Sequence, residues 1–125
     1  MLIGPINSGV AAGGAGVATA TGESSQVIRG MLVGVQVKYN DAPPAGTTDI
    51  TVKTKGTNAP VITLLAIANA ATDGLFLPRY DSCKAADGSA LTTNDQFIPI
   101  EDVVQVVIAG ADDADNIDVW LYLLS

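Results

Sequence analysis

From Gln26 to Tyr39 the side chains sort with a period of two. Val27, Arg29, Met31, Val33, Val35, Val37 and Tyr39 form one row, and Gln26, Ile28, Gly30, Leu32, Gly34, Gln36 and Lys38 form the other. Successive residues of an extended chain point to opposite sides, so the pattern predicts one long strand with one well-buried face. The same alternation returns twice. Between Thr48 and Lys55 it sets Ile50, Val52 and Thr54 against Thr51, Lys53 and Lys55. Between Asn116 and Leu124 it sets Ile117, Val119, Leu121 and Leu123 against Asp118, Trp120, Tyr122 and Leu124. With no amphipathic helix of ordinary length beside them, these stretches predict an all-β chain.

Turn residues divide the remainder. Asp41-Ala42-Pro43-Pro44-Ala45-Gly46 reads as a loop, because two prolines fix φ and remove ladder donors. Gly56-Thr57-Asn58, with Pro60 behind it, separates the Ile50 strand from the apolar run Val61 to Ala68 at a spacing that suits a hairpin. In that run Ile62, Leu64, Leu65 and Ile67 also fit a short helix, but the flanking turns favour a strand. Asn69 to Gly74 turns toward Leu75-Phe76-Leu77, which Pro78 ends. Asp81 to Asp95 is the longest polar stretch; Phe97, Ile98 and Ile100 resume order, and Val103 to Ala109 precedes the loop Gly110 to Asp115. The count is about eight strands. They predict a two-sheet antiparallel sandwich, jelly-roll-like, because that closure limits exposed edges.

A chain of 125 residues, 48% of them hydrophobic, closes one core. Residues 23–125 therefore read as a single β-sandwich domain, preceded by a Gly/Ala-rich segment, 1–22, that is either an arm or a first edge strand. That segment carries no charge, and Ala18-Thr19-Ala20 has the small-x-small form of a signal cleavage site. Pro5, the interrupting glycines and the lack of a basic start argue against a secretory signal or a membrane span. Within it, Val10 to Thr21 is a candidate first strand.

Formal charge is −7, and the six basic residues are scattered. Polyanion binding needs a lysine or arginine surface to release counterions, so nucleic acid is not an expected partner. Cys83 is the only cysteine, which excludes an internal disulfide. The chain has no histidine. Ser-His-Asp and Cys-His catalysis and His-based metal sites are thereby removed, and no catalytic residue, cofactor or metal is expected.

Asp112, Asp113, Asp115, Asn116 and Asp118 supply oxygen ligands of the kind calcium selects, but EF-hand spacing is absent. A solvated hairpin tip is the plainer reading. Glu101 and Asp102 are adjacent, so on a strand they diverge rather than flank one bond. Asp49 and Asp73 are carboxylates that only a fold could bring together. Trp120 and Tyr122 are the most informative pair: with the aliphatic set turned to the core, they fall on the other face. Such residues anchor protein contacts by combining large apolar area with a hydrogen-bonding tip. They are contact candidates together with Val10 and Val17 of the first segment, which itself can instead cover them.

The long Val27 to Tyr39 strand, the proline-rich loop before Thr48-Asp49-Ile50-Thr51-Val52, the Thr72-Asp73-Gly74 turn with Leu77-Pro78-Arg79, and the closing Val119-Trp120-Leu121-Tyr122 resemble the decoration, or cement, proteins of tailed-bacteriophage capsids. The likeness spans residues 26 to 124. It implies a structural virion protein on the outer capsid surface, a homotrimer whose partner is the major capsid protein, clamping neighbouring subunits. The alternative is a carbohydrate-binding or adhesive sandwich module of a phage fibre or cell surface, in which Trp120, Tyr122, Tyr39 or Tyr80 stack on sugar rings.

Overall fold

The computed structural model describes residues 1–40, 46–57, 59–70, 72–79 and 96–124. Among them it holds nine strands and no helix: β1 (Leu2–Asn7), β2 (Ala18–Glu23), β3 (Ile28–Tyr39), β4 (Asp49–Thr54), β5 (Thr63–Ile67), β6 (Gly74–Phe76), β7 (Ile98–Asp102), β8 (Val104–Ala111) and β9 (Ile117–Leu124). The ambiguous run is the strand β5. The loop at 41–45, the polar stretch 81–95, Tyr80 and Cys83 lie outside the described residues.

Pairing is nested and antiparallel. Strand β1 pairs with β9, β2 with β8, β3 with β7, and β4 with β5. Successive pairs fall in alternate sheets, giving a five-stranded sheet in the order β1-β9-β3-β6, with β7 also on β3, and a four-stranded sheet in the order β2-β8-β4-β5. This is a long hairpin rolled on itself, the jelly-roll arrangement, with β6 added beside β3. Segment 1–22 supplies an edge strand to each sheet. Within it the strand begins at Ala18 rather than Val10; the residues between β1 and β2 form a turn held by an isolated bridge between Ala12 and Thr19.

The single buried row expected along Gln26 to Tyr39 is corrected by the structure. Buried residues are Ile28 and Leu32 in the first half of β3, but Val35, Val37 and Tyr39 in the second. The parity switches at a β-bulge. Leu32 pairs with Leu123 and Gly34 with Tyr122, so Val33 is an extra residue opposite none. Its carbonyl is taken by Arg79, whose Nη1 donates at 2.8 Å, while the same guanidinium lies 4.6 Å from the centroid of the Phe97 ring. A part-buried acceptor left over by the bulge thus receives a charged donor.

Between the sheets the inward rows interdigitate. Leu32, Val35, Val119 and Leu121 from the five-stranded sheet and Ile50, Val52, Val106 and Ile108 from the four-stranded one are all fully enclosed. At one corner the Tyr39 hydroxyl donates to the Ala70 carbonyl at 3.0 Å. Burial, reinforced by the Asp73 carboxylate, pushes that phenol up to about 12. At the opposite rim the sheets nearly touch, and a Cβ built on Gly22 of β2 meets the carbonyl oxygen of Asn7 at 1.8 Å.

Candidate functional site

The outward rows of the five-stranded sheet follow from its register. Trp120 stands opposite Gln36, and Tyr122 lies between Leu2 on one side and Gly34 on the other. Leu75 is opposite Gln36 on the far side, and Leu124 is opposite Met31. Because Gly34 has no side chain, Leu75 and Leu77 lie across it: a Cβ there meets Leu77 Cδ2 at 3.1 Å and Leu75 Cδ1 at 3.4 Å. The result is an apolar band in which Leu2, Leu75, Leu77 and Leu124 are 54, 57, 60 and 51% exposed.

Trp120 and Tyr122 sit within this band, both half-buried. The Trp120 ring is flanked by β1: a Cβ on Gly4 stands 3.0 Å from Trp120 Cδ1, so the first strand covers one edge of the indole without hiding it. The Tyr122 hydroxyl donates to Gln36 Oε1 at 2.9 Å, which ties the ring to the neighbouring strand β3. Val10 and Val17 are each 67% exposed, but they belong to the β1–β2 turn and stand apart from the band in the strand register. Of the other aromatic candidates, Tyr39 is buried in the core. Leu2, Met31, Leu75 and Leu77 escaped the sequence reading. Leu75 and Leu77 alternate about Phe76 and were detectable, whereas the bulge put Met31 out of phase.

The acidic candidates hold the backbone in place. The loop after β8 is not a hairpin tip: it carries the chain from the four-stranded sheet to β9 in the other, and Asp115 on it is buried. Asp112 Oδ1 accepts from the Gly16 amide at 2.9 Å, and Asp115 Oδ2 accepts from the Asp112 amide at 3.1 Å. Asp49 accepts from the Asn69 amide and Asp73 from the Tyr39 amide, each at 2.9 Å. Among the described residues no three His, Cys, Asp or Glu side chains converge.

Glu101 and Asp102 diverge, as adjacent strand residues do. Glu101 is exposed and meets Arg29 Nε at 3.2 Å, while Asp102 is buried at the rim and accepts from the amides of Val103, Gly56 and Thr57 at 2.8, 2.7 and 3.1 Å. Burial alone raises this carboxyl; the three amides outweigh it and hold the group below its ordinary value of 3.8. A lowered folded-state value contributes stability that is present above the ordinary value and lost as pH falls through the folded one. Asp102→Asn should therefore melt below the wild type at about pH 7, and the gap should narrow toward about pH 2; parallel melting curves at the two values check it.

Charge is distributed unevenly. On the five-stranded outer face Arg29 and Lys38 balance Glu101 and Asp118, and on the four-stranded one Lys53 and Lys55 balance Glu23 and Asp49. Among the described residues, each outer face is thus close to neutral. A cleft of about 450 Å³ runs between β1 and residues 23–28. Its polar lining is largely engaged: Asn7 donates to Asn116 and Asp118, Glu23 pairs with Lys55 at 2.9 Å, and Ser24 bonds Gln26 and Val104.

No protein-family model matches the chain, and no curated protein matches it. Solved structures with a similar sandwich include a family 32 carbohydrate-binding module of AlyQ in complex with 4,5-unsaturated mannuronic acid, at 7% identity and a TM-score of 0.45, covering 90% of this chain and 74% of that one. A low-affinity xylan-binding module from Roseburia intestinalis matches at 10% identity and 0.46, over 90% of this chain and 75% of its own. The family 32 module of Clostridium perfringens NanJ in complex with galactose matches at 6% and 0.41, over 83% and 66%. Similarity at this level identifies neither a ligand nor the residues that would bind one.

Proposed function

We propose that the chain is a non-catalytic β-sandwich module that docks through the outer face of its five-stranded sheet, and that the partner is a protein surface of an assembled shell such as a phage capsid. The observation that carries this reading is the aliphatic band of Leu2, Leu75, Leu77 and Leu124 around half-buried Trp120 and Tyr122. A band of this make-up costs solubility unless another apolar surface covers it. Its charged residues lie at the two ends, Lys38 with Asp118 and Arg29 with Glu101, as a polar rim around an apolar centre does. A module that binds the assembled shell and not its separated subunits stabilises assembly by mass action.

The second reading is a carbohydrate-binding module, the class to which the similar solved structures belong. Trp120 and Tyr122, two residues apart on one face with Gln36 beside them, favour it. Against it, the surround is aliphatic, and the Gln36 Oε1 acceptor is already engaged by Tyr122, whereas a sugar site needs several free polar groups that converge on the ring hydroxyls.

One experiment separates the two. Wild type, Leu75→Asp and Trp120→Ala are co-sedimented with assembled capsids of a tailed phage carrying the gene, and the same samples are applied to a glycan array. Docking predicts capsid binding weakened roughly tenfold or more by Leu75→Asp and an array without signal. Array binding lost in Trp120→Ala but kept in Leu75→Asp establishes the sugar reading, and binding to neither sinks both.

A further inference from the structure

Along each strand of the five-stranded sheet the main-chain groups turn alternately to one side and the other, and the bonds at the sheet's margins fix which way each one faces. The Leu123 amide donates to Met1 and the Ser8 amide to Ile117. Odd-numbered residues of β9 therefore turn their N–H and C=O toward β1, and even-numbered ones toward β3. Gln36, opposite Trp120, is bonded to β9, whereas Val35 and Val37 turn the other way, as does Tyr39, whose amide donates to Asp73. Val35 and Val37 stand opposite Phe76 and Gly74, and these two residues hold β6 in the sheet. Leu75 between them turns its N–H and C=O to the free edge, where neither has a partner among the described residues.

The other edge strands of this sheet are guarded. On β7, Pro99 stands opposite Met31, and Met31 is bonded to Leu124 on its other side, so the missing N–H of the proline falls on the free edge. On β1, Pro5 likewise offers no donor, and the Asn7 carbonyl beyond it is packed against Gly22 of β2. Strand β6 has no proline. Its Leu75 also contributes a 57% exposed side chain to the apolar band, so the main chain and the side chain of one residue are both open at the same corner of the docking face.

We infer that β6 takes an extended strand of the partner, which pairs with the main chain of Leu75 and continues the apolar band by one strand. This rests on the docking reading and states what the partner presents at that corner: extended backbone, with apolar residues at alternate positions on the side that meets Leu75 and Leu77. One residue of an antiparallel neighbour supplies both the acceptor and the donor that Leu75 requires. In such strand addition the main-chain bonds give affinity and the alternate side chains give selectivity. With three residues, β6 is too short to recruit strands unaided. The adjoining band supplies the rest of the contact, which restricts pairing to a partner that fits both.

Hydrogen exchange read at the Leu75 amide tests this, with assembled capsids of a tailed phage carrying the gene as the partner. In the free chain this amide should exchange at close to the rate of an unstructured one. Capsid binding should slow it roughly tenfold or more, while the Gly74 and Phe76 amides, already bonded to β3, change far less. Leu75→Pro removes the outward N–H and leaves the bonds to β3 with its neighbours; it should bind capsids roughly fivefold more weakly than Leu75→Ala, which removes the side chain alone. Should Leu75→Pro melt early, the exchange of the wild-type chain decides by itself. Capsid binding that leaves the Leu75 amide fast, an amide already slow in the dilute free chain, or equal binding by the two variants at equal melting temperature would overturn the inference and leave the docking reading standing. Protection that grows with chain concentration in the absence of capsids would assign the edge to a second copy and overturn it as well. A chain that binds no capsid removes both.

Discussion

Gly22→Ala should lower the melting temperature by roughly 10 °C, on the order of 3 kcal/mol for a domain of this size. The added methyl carbon would stand 1.8 Å from the Asn7 carbonyl oxygen and 2.8 and 2.9 Å from the carbonyl carbons of Asn7 and Ser8. None of these is a side chain that can swing aside. Relief requires separating the end of β1 from β2, where the first strand of one sheet passes over the first strand of the other. The backbone at Gly22 is in an ordinary extended conformation, so the penalty is one of space and not of φ. Gly46→Ala is the matched control: a Cβ there meets nothing within 4 Å. Equal melting temperatures for the two variants would show that the rim can open freely.

Leu121→Ala should cost about 3–4 kcal/mol, again read as a melting shift. Leu121 is fully enclosed and sits near the centre of β9, paired with Ile3 on one side and Val35 on the other. Strands on both sides fix its surroundings, so the cavity left by truncation cannot collapse as it could at a sheet edge. Tyr122→Ala, one residue along and on the outer face, removes more atoms yet should cost much less, about 1 kcal/mol, chiefly through the hydrogen bond to Gln36. A larger loss from Tyr122 than from Leu121 would place the core on the wrong side of the strand.

The last strand was legible because its alternation is unbroken and its core side is purely aliphatic. Ile117, Val119, Leu121 and Leu123 are all buried as the pattern demands, and β4 follows the same logic at Ile50, Val52 and Thr54. In β3 the spacing was misleading, because apolar residues stand in both rows, Val27 to Val37 in one and Ile28 and Leu32 in the other, and alternation alone does not reveal an extra residue. What marks the bulge is a contact 46 residues away, the Arg79 guanidinium on the Val33 carbonyl, which local sequence does not announce. The first strand was obscured for a related reason. Its ladder to β9 joins residues 109 or more positions apart, exemplified by the Ser8 amide on the Ile117 carbonyl, and its Gly4 and Pro5 carry no β signal of their own. The acidic loop shows a third limit: composition suggested ligands for a cation, while the carboxylates of Asp112 and Asp115 are spent on neighbouring amides.

The bulge makes one position of β3 unlike its neighbours in how the chain could be shortened. Leu32 and Gly34 already face Leu123 and Tyr122, which are consecutive in β9. Excising Val33 would splice two residues whose partners are contiguous, leaving inside inside and outside outside along the whole strand. Excising a residue well away from the bulge instead shifts the stretch between the cut and the bulge by one position, exchanging its greasy and wetted sides.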